Sequence, residues 1–195
     1  MQKKKNKKIL YFLFLILLIL ILSLVLVIIY DNKRAIEFNT LSFEAVNDFE
    51  EQLINPDVET ATISGKAIIG TLKIDKIDLY NPIIEYEGDS SLEIAINKYA
   101  GPDINEFGNV VLASHNRRNK TGFARVYELN INDTAILTDR YGNRIEYYVT
   151  EKYYAELNDP SSLTNNIQDK RIVTLVTCNN NGDKRYIVVL NEKNK

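Results

Sequence analysis

Cysteine and histidine occur once each in this 195-residue chain, as Cys178 and His115. A single thiol excludes an internal disulfide, so no cystine framework holds the fold. Positive charge is also scarce where nucleic acid would need it. Five lysines stand at positions 3–8, ahead of a long apolar run, while every acidic residue follows that run. Beyond it 19 basic residues face 26 acidic ones, a net charge of −7. Such a body has no general attraction for nucleic acid. Internal repeats and low-complexity tracts are absent as well.

The N-terminus lacks a cleavage site. The apolar run from Ile9 to Tyr30 is interrupted only by Ser23, and Tyr30-Asp31-Asn32-Lys33 follows it. A cleavable signal has an apolar stretch of roughly 7–15 residues and a small-residue A-x-A site. A spanning helix needs roughly 20 apolar residues. The run therefore reads as an uncleaved transmembrane anchor. Lysines cluster before it, and the charges just after it are mixed in sign, so the N-terminus is expected inside and the rest outside. This predicts a single-pass membrane protein with an extracellular body. Expected boundaries are a basic cytoplasmic tail at 1–8, the anchor at 9–30, a juxtamembrane helix and linker at 31–65, and a catalytic β domain at 66–195.

From Asp31 to about Asn55, Phe38, Leu41, Ala45, Phe49 and Leu53 recur near helical spacing. Pro56 ends that pattern, and Asp57–Gly65 reads as a linker. The helix is either a stalk or a segment packed on the domain. Thereafter short β-branched and aromatic runs alternate with turns: 67–74, 82–86, 109–114, 134–138, 144–154, 172–178 and 186–190. This spacing predicts a mostly β domain, a sandwich or a barrel. Asp139–Asn143 suits a hairpin turn, with Gly142 free to take positive φ. Short helical turns are expected at Ser90–Ile96 and at Asp159–Leu163.

Cys178 closes an apolar strand beside the turn Asn179–Asp183. A lone cysteine in a strand is ordinarily a small buried hydrophobe. An unpaired thiol in an exported domain is alternatively a reactive one, provided a proton-transfer partner and positive charge lie near. His115 ends the apolar run 109–114 in the same manner. It is either a solvated loop residue or such a partner, since two strand tips can meet at one rim of a barrel. Arg185 follows the turn and would lie beside Cys178 on the next strand. A guanidinium there stabilises a thiolate or an oxyanion, although Lys184, or a plain strand-edge arginine, fits the spacing equally.

Thr174-Leu175-Val176-Thr177-Cys178 resembles the TLxTC signature of the sortases, Gram-positive cell-surface cysteine transpeptidases. The resemblance runs from about Ala67 to Leu190 and fits the basic-then-apolar N-terminus. It implies a closed, mostly antiparallel β-barrel of about eight strands with a few short helices. It assigns catalytic roles to His115, Cys178 and Arg185, the Arg-x-apolar-apolar setting choosing Arg185 over Lys184. The implied reaction cleaves an LPxTG-like sorting signal of a surface protein through a cysteine thioester. An amino group of a cell-wall precursor then takes the acyl chain. Two features depart from common family patterns. Ser114 precedes the histidine where many members have glycine. A second C-terminal membrane helix and a lid motif after Asp-Pro, common in pilin-polymerising members, do not appear. Two rival readings are an anchored cysteine peptidase or wall hydrolase, and a non-catalytic surface-binding β domain. No cofactor is required by this chemistry. Calcium stays open, with Asp103 and Glu106 as candidate ligands or as solvated loop residues.

Overall fold

The computed structural model describes residues 2–55, 57–157, 159 and 169–193. Pro56 and most of the turn expected at Asp159–Leu163 lie outside them. Helix α1 (Gln2–Ile54) is continuous through the anchor and the juxtamembrane segment. Neither proline nor glycine occurs between Ile9 and Ile54, so nothing breaks the hydrogen-bond ladder there. All side chains from Ile9 to Tyr30 are exposed. So long an uncovered apolar surface belongs in lipid rather than water. This is one N-terminal helix long and apolar enough to cross a membrane.

Nine strands follow: β1 (Thr62–Ile63), β2 (Lys66–Ile74), β3 (Leu79–Glu85), β4 (Ile96–Ala100), β5 (Gly108–Ala113), β6 (Thr134–Asp139), β7 (Arg144–Glu156), β8 (Arg171–Cys178) and β9 (Lys184–Glu192). A short helix α2 (Asp89–Leu92) separates β3 from β4. The order β2-β3-β4-β5-β8-β9-β7-β6 closes through a β2–β6 pairing, giving an eight-stranded barrel with β1 appended to β2. Six of the eight ring pairings are antiparallel. The other two, β3–β4 and β5–β8, are parallel. A parallel pair needs a crossover rather than a hairpin. The α2 segment supplies one, and the long excursion through β6 and β7 supplies the other.

Alternation along the strands fills the barrel. Val173 and Leu175 of β8 point inward with Val188 and Leu190 of β9, joining Leu72, Leu112, Phe123 and Leu137. The second half of α1 packs on the outside. Phe49 and Ala45 meet Ala61, Ile63, Ile68, Ile84 and Ala95 in a separate apolar cluster. The helix is thus docked on the barrel, and does not stand off as a stalk. Its buried face differs by one position from the sequence pattern. Leu41 is exposed, whereas Ser42 is buried because its hydroxyl accepts from Asn81 Nδ2 at 2.9 Å. Glu50 bonds both the Tyr80 hydroxyl and Arg144, fixing the far end.

Two local expectations change. Part of the supposed linker, Thr62–Ile63, pairs with β2. The helix expected over Ser90–Ile96 stops at Leu92, and Ile96 begins β4. Buried Asn97 accounts for the early stop: its Nδ2 donates to the Ser91 and Ala95 carbonyls at 3.0 and 2.9 Å. The Ser91 carbonyl also accepts from the Ile94 and Ala95 amides at 3.1 and 3.3 Å, so the turn closes on itself there and the chain leaves it as a strand.

Candidate active site

Parallel pairing of β5 with β8 brings the sequence's single histidine and single cysteine out at one rim. Ala113 lies opposite Val176, so His115 and Cys178 each follow the last pair by two residues, at the same rim. Further bonds staple the two chains beyond that pair. Ser114 N donates to the Val176 carbonyl at 3.3 Å, and Thr177 Oγ1 donates to the Ser114 carbonyl at 2.8 Å. Asn116 Nδ2 donates to the Cys178 carbonyl and to Asn180 Oδ1, both at 3.1 Å. Asn180 Oδ1 also accepts from the Tyr127 hydroxyl at 3.0 Å.

Antiparallel pairing of β8 with β9 sets Arg185 directly across from Cys178. Its Nη1 donates to Cys178 Sγ at 2.7 Å. The intervening turn is held by Asn179, whose Oδ1 accepts from the Asp183 and Lys184 amides at 3.1 and 3.3 Å. Lys184 instead pairs with Glu156 at 3.1 Å. Cys178 is neither fully buried nor exposed. A half-open thiol touching a guanidinium sits in the electropositive kind of surroundings that a reactive cysteine needs. Tyr186, next to Arg185, packs its ring against Tyr127 and Tyr154 at centroid distances of 5.5 and 5.1 Å. Burial raises the pKa of both Tyr127 and Tyr186, so both phenols stay neutral beside the site.

The His115 segment is shaped by a close return of the chain. Phe123 N donates to the His115 carbonyl at 2.9 Å. Gly122 sits at φ +62°, and a Cβ there would stand 2.7 Å from that carbonyl oxygen and from Ser114 Oγ. Only glycine suits this position.

Glu93, just past α2, is the partner that the sequence pattern did not disclose. Its Oε1 lies 3.1 Å from His115 Nε2. Its Oε2 lies 2.7 Å from Arg117 Nη2 and 3.1 Å from Arg34 Nη2 of α1. Arg117 also donates to the Glu93 carbonyl at 3.0 Å and stacks over Phe38 at 5.1 Å. Burial lowers the pKa of Arg117, and Arg34 adds to that while Glu93 opposes it. With Nε2 bonded to a carboxylate, a neutral His115 ring carries its proton there and leaves Nδ1 as the acceptor. Glu93 lies 22 residues from His115 on a different element, so spacing could not reveal it. Asn116, adjacent to His115, could have been singled out as a polar residue at a strand tip.

Among the described residues no group of three or more His, Cys, Asp or Glu side chains could hold a metal ion. Asp103 is engaged by Lys98 at 2.9 Å and Arg140 at 3.6 Å. Lys98 holds its carboxyl below the ordinary carboxylate range. A carboxylate so neutralised by cations is a poor fit for calcium.

The fold and this rim define a closed β-barrel with a thiol, an imidazole and a guanidinium gathered at the ends of three neighbouring strands. The family model for the sortase domain matches residues 72–193, more than half of the chain. The chain belongs to the sortase family, and its general activity is of the transpeptidase kind. It is similar in fold to a Clostridium perfringens sortase D5 transpeptidase, at 24% identity and a TM-score of 0.62 over 80% of this chain and 98% of that one. Streptococcus agalactiae sortase C1 gives 18% identity and a TM-score of 0.65 over 79% and 96% of the two chains. Listeria monocytogenes sortase A gives 21% and 0.59 over 65% and 88%. No curated protein matches the chain.

Proposed function

We propose that the chain is a membrane-anchored cysteine transpeptidase in which Cys178 is the nucleophile, His115 the general acid and base, and Arg185 the oxyanion donor. The observation that carries this is the 2.7 Å contact from Arg185 to the only thiol, at the rim where the only histidine also emerges. Cys178 Sγ attacks a carbonyl carbon of a sorting signal resembling LPxTG on a surface protein. The S–C bond forms, negative charge collects on the oxygen, and the Arg185 fork receives it. The C–N bond then breaks, and His115 protonates the departing amine. An amino group of a cell-wall precursor attacks the thioester and gives its proton to His115, and the thiolate leaves. Atoms balance without redox chemistry. In this reading Ile9–Tyr30 spans the membrane, the N-terminus is cytoplasmic, and the barrel from about residue 66 is the extracellular catalytic domain.

The test incubates full-length protein in detergent with sorting peptides, with and without an added amine. Amine-dependent ligation supports the proposal. Water as the only acceptor would make it a hydrolase, and no thiol-dependent turnover at all would return Cys178 to a packing role.

A further inference from the structure

Helix α1 sets the level of the site relative to a bilayer. Ile9–Tyr30 matches the ~30 Å hydrocarbon thickness, and each headgroup layer adds roughly 5–8 Å. From Tyr30 to Arg34 the helix rises only about 6 Å. The barrel touches α1 at that level. Asn119 Nδ2 donates to the Asp31 carbonyl at 3.4 Å, and Arg34 reaches Glu93, which bonds His115. Higher contacts at Phe38, Ser42 and Glu50 hold the barrel along the helix. Glu50 stands about 24 Å farther up than Arg34, beside the β6–β7 hairpin. The His115 rim is therefore the membrane-proximal end of the barrel.

Charge gathers at the same end. Lys33, Arg34, Arg117, Arg118 and Lys120 outnumber the acids near them, Asp31, Glu37, Glu93 and Glu128, on a body whose net charge is −7. Among the described residues Lys33, Arg118 and Lys120 make no ion pair; Glu128, within electrostatic reach of Lys120, is already bonded to Arg125 at 2.8 Å. A cavity of about 260 Å³ opens at this level, lined by Asp31, Arg34, Glu93, His115, Arg118 and Asn119 among others.

We propose that Arg117–Lys120, with Lys33 and Arg34, forms a membrane-facing surface that seats in the anionic headgroup layer of the chain's own bilayer. The site beside His115 then works at the bilayer surface, on substrates and acceptors lying in that layer. Basic residues close to an anionic leaflet are attracted to it over about a Debye length. The proposal rests on the reading of Ile9–Tyr30 as a span and of this rim as the active site.

The experiment uses the full chain with Cys178→Ala, in lipid nanodiscs containing a headgroup-spin-labelled lipid. Fluorophores are placed one at a time through Asn32→Cys, Lys120→Cys and Tyr141→Cys. Strong quenching at 32 and 120, several-fold above that at 141, is expected in discs containing phosphatidylglycerol. Quenching at 120 should weaken in phosphatidylcholine discs, or with Lys33→Glu and Arg118→Glu together, while that at 32 persists. If 32 is quenched but 120 matches 141, the membrane-facing surface is refuted and the anchor stands. An unquenched label at 32 overturns the anchor and the proposal together. Equal quenching at 120 in both lipids overturns the preference for anionic headgroups.

Discussion

Arg185→Lys separates charge from geometry at the thiol. Both side chains carry one positive charge, and a unit charge about 4 Å from a thiolate is worth ~4 kcal/mol at an effective dielectric of 20. Lysine retains most of that. What it lacks is the planar fork. In the structure Nη1 already occupies Cys178 Sγ at 2.7 Å, which leaves the rest of the guanidinium to meet an oxyanion formed on the sulfur-bound carbon. A single ammonium on a flexible stem cannot hold both positions. Losing one positioned oxyanion donor costs ~10²–10³ in rate, roughly 3–4 kcal/mol. With the charge retained, kcat is expected to fall by at least ~10-fold and KM to change much less. The assay is steady-state transpeptidation of a sorting peptide with an amine acceptor. Lys184→Ala is the control, since Lys184 pairs with Glu156 away from the thiol, and it should stay close to wild type. Near-normal turnover by Arg185→Lys, or a collapse in Lys184→Ala, would refute the donor role.

Four further outcomes are expected. Cys178→Ala and His115→Ala should each abolish peptide cleavage with the fold intact by circular dichroism, and turnover surviving in either would remove that residue from the reaction. Glu93→Ala should lower kcat/KM by about 3–10-fold through loss of a charge-assisted bond to His115, with Glu93→Gln between it and wild type; an unchanged rate in Glu93→Ala would reduce Glu93 to a surface ion-pair member. Gly122→Ala should destabilise the protein by about 1–3 kcal/mol through strain at positive φ and the clash with the His115 carbonyl, read as a lower Tm, and an unaltered Tm would contradict that close return of the chain. Tyr80 is pushed up to about 12, first by burial and then by Glu50. Its pKa is higher folded than unfolded, so its stabilising contribution is complete below pH 10 and lost as pH rises through about 12. Tyr80→Phe should abolish that alkaline loss in denaturation curves, and identical pH profiles for the two proteins would disprove the linkage.

Strands were legible because short β-branched and aromatic runs stand between turn residues, and in β2, β5, β8 and β9 those runs are buried almost throughout. Closure through β2–β6 was not, since it joins strands more than sixty residues apart. Ser90–Ile96 read as helix because a serine preceded apolar residues, yet buried Asn97 redirected the backbone. Local capping lost to the bonding needs of a buried amide. The positions of His115, Cys178 and Arg185 at strand ends could be read, because strand ends coincide with abrupt changes from apolar to polar sequence. Glu93 and Arg34 could not. Glu93 reaches His115 from just past α2 and Arg34 reaches Glu93 from α1, both by tertiary packing, and nothing in their own neighbourhoods distinguishes them from other surface charges.

The parallel β5–β8 pair has a consequence for how the protein comes into being. A hairpin would have joined the two strands early and locally, whereas here the tips of β5 and β8 wait on the whole β6–β7 excursion between them. Contacts of such long sequence separation form slowly. Arg185 arrives after Cys178, on β9, which follows β8 in the chain. A nascent chain whose membrane helix is already inserted therefore carries an isolated, ordinary thiol. On the proposed reading of Cys178 as nucleophile, the thiol meets Arg185 only when β8 slots between β5 and β9, so maturation of the barrel is itself the step that switches the protein on.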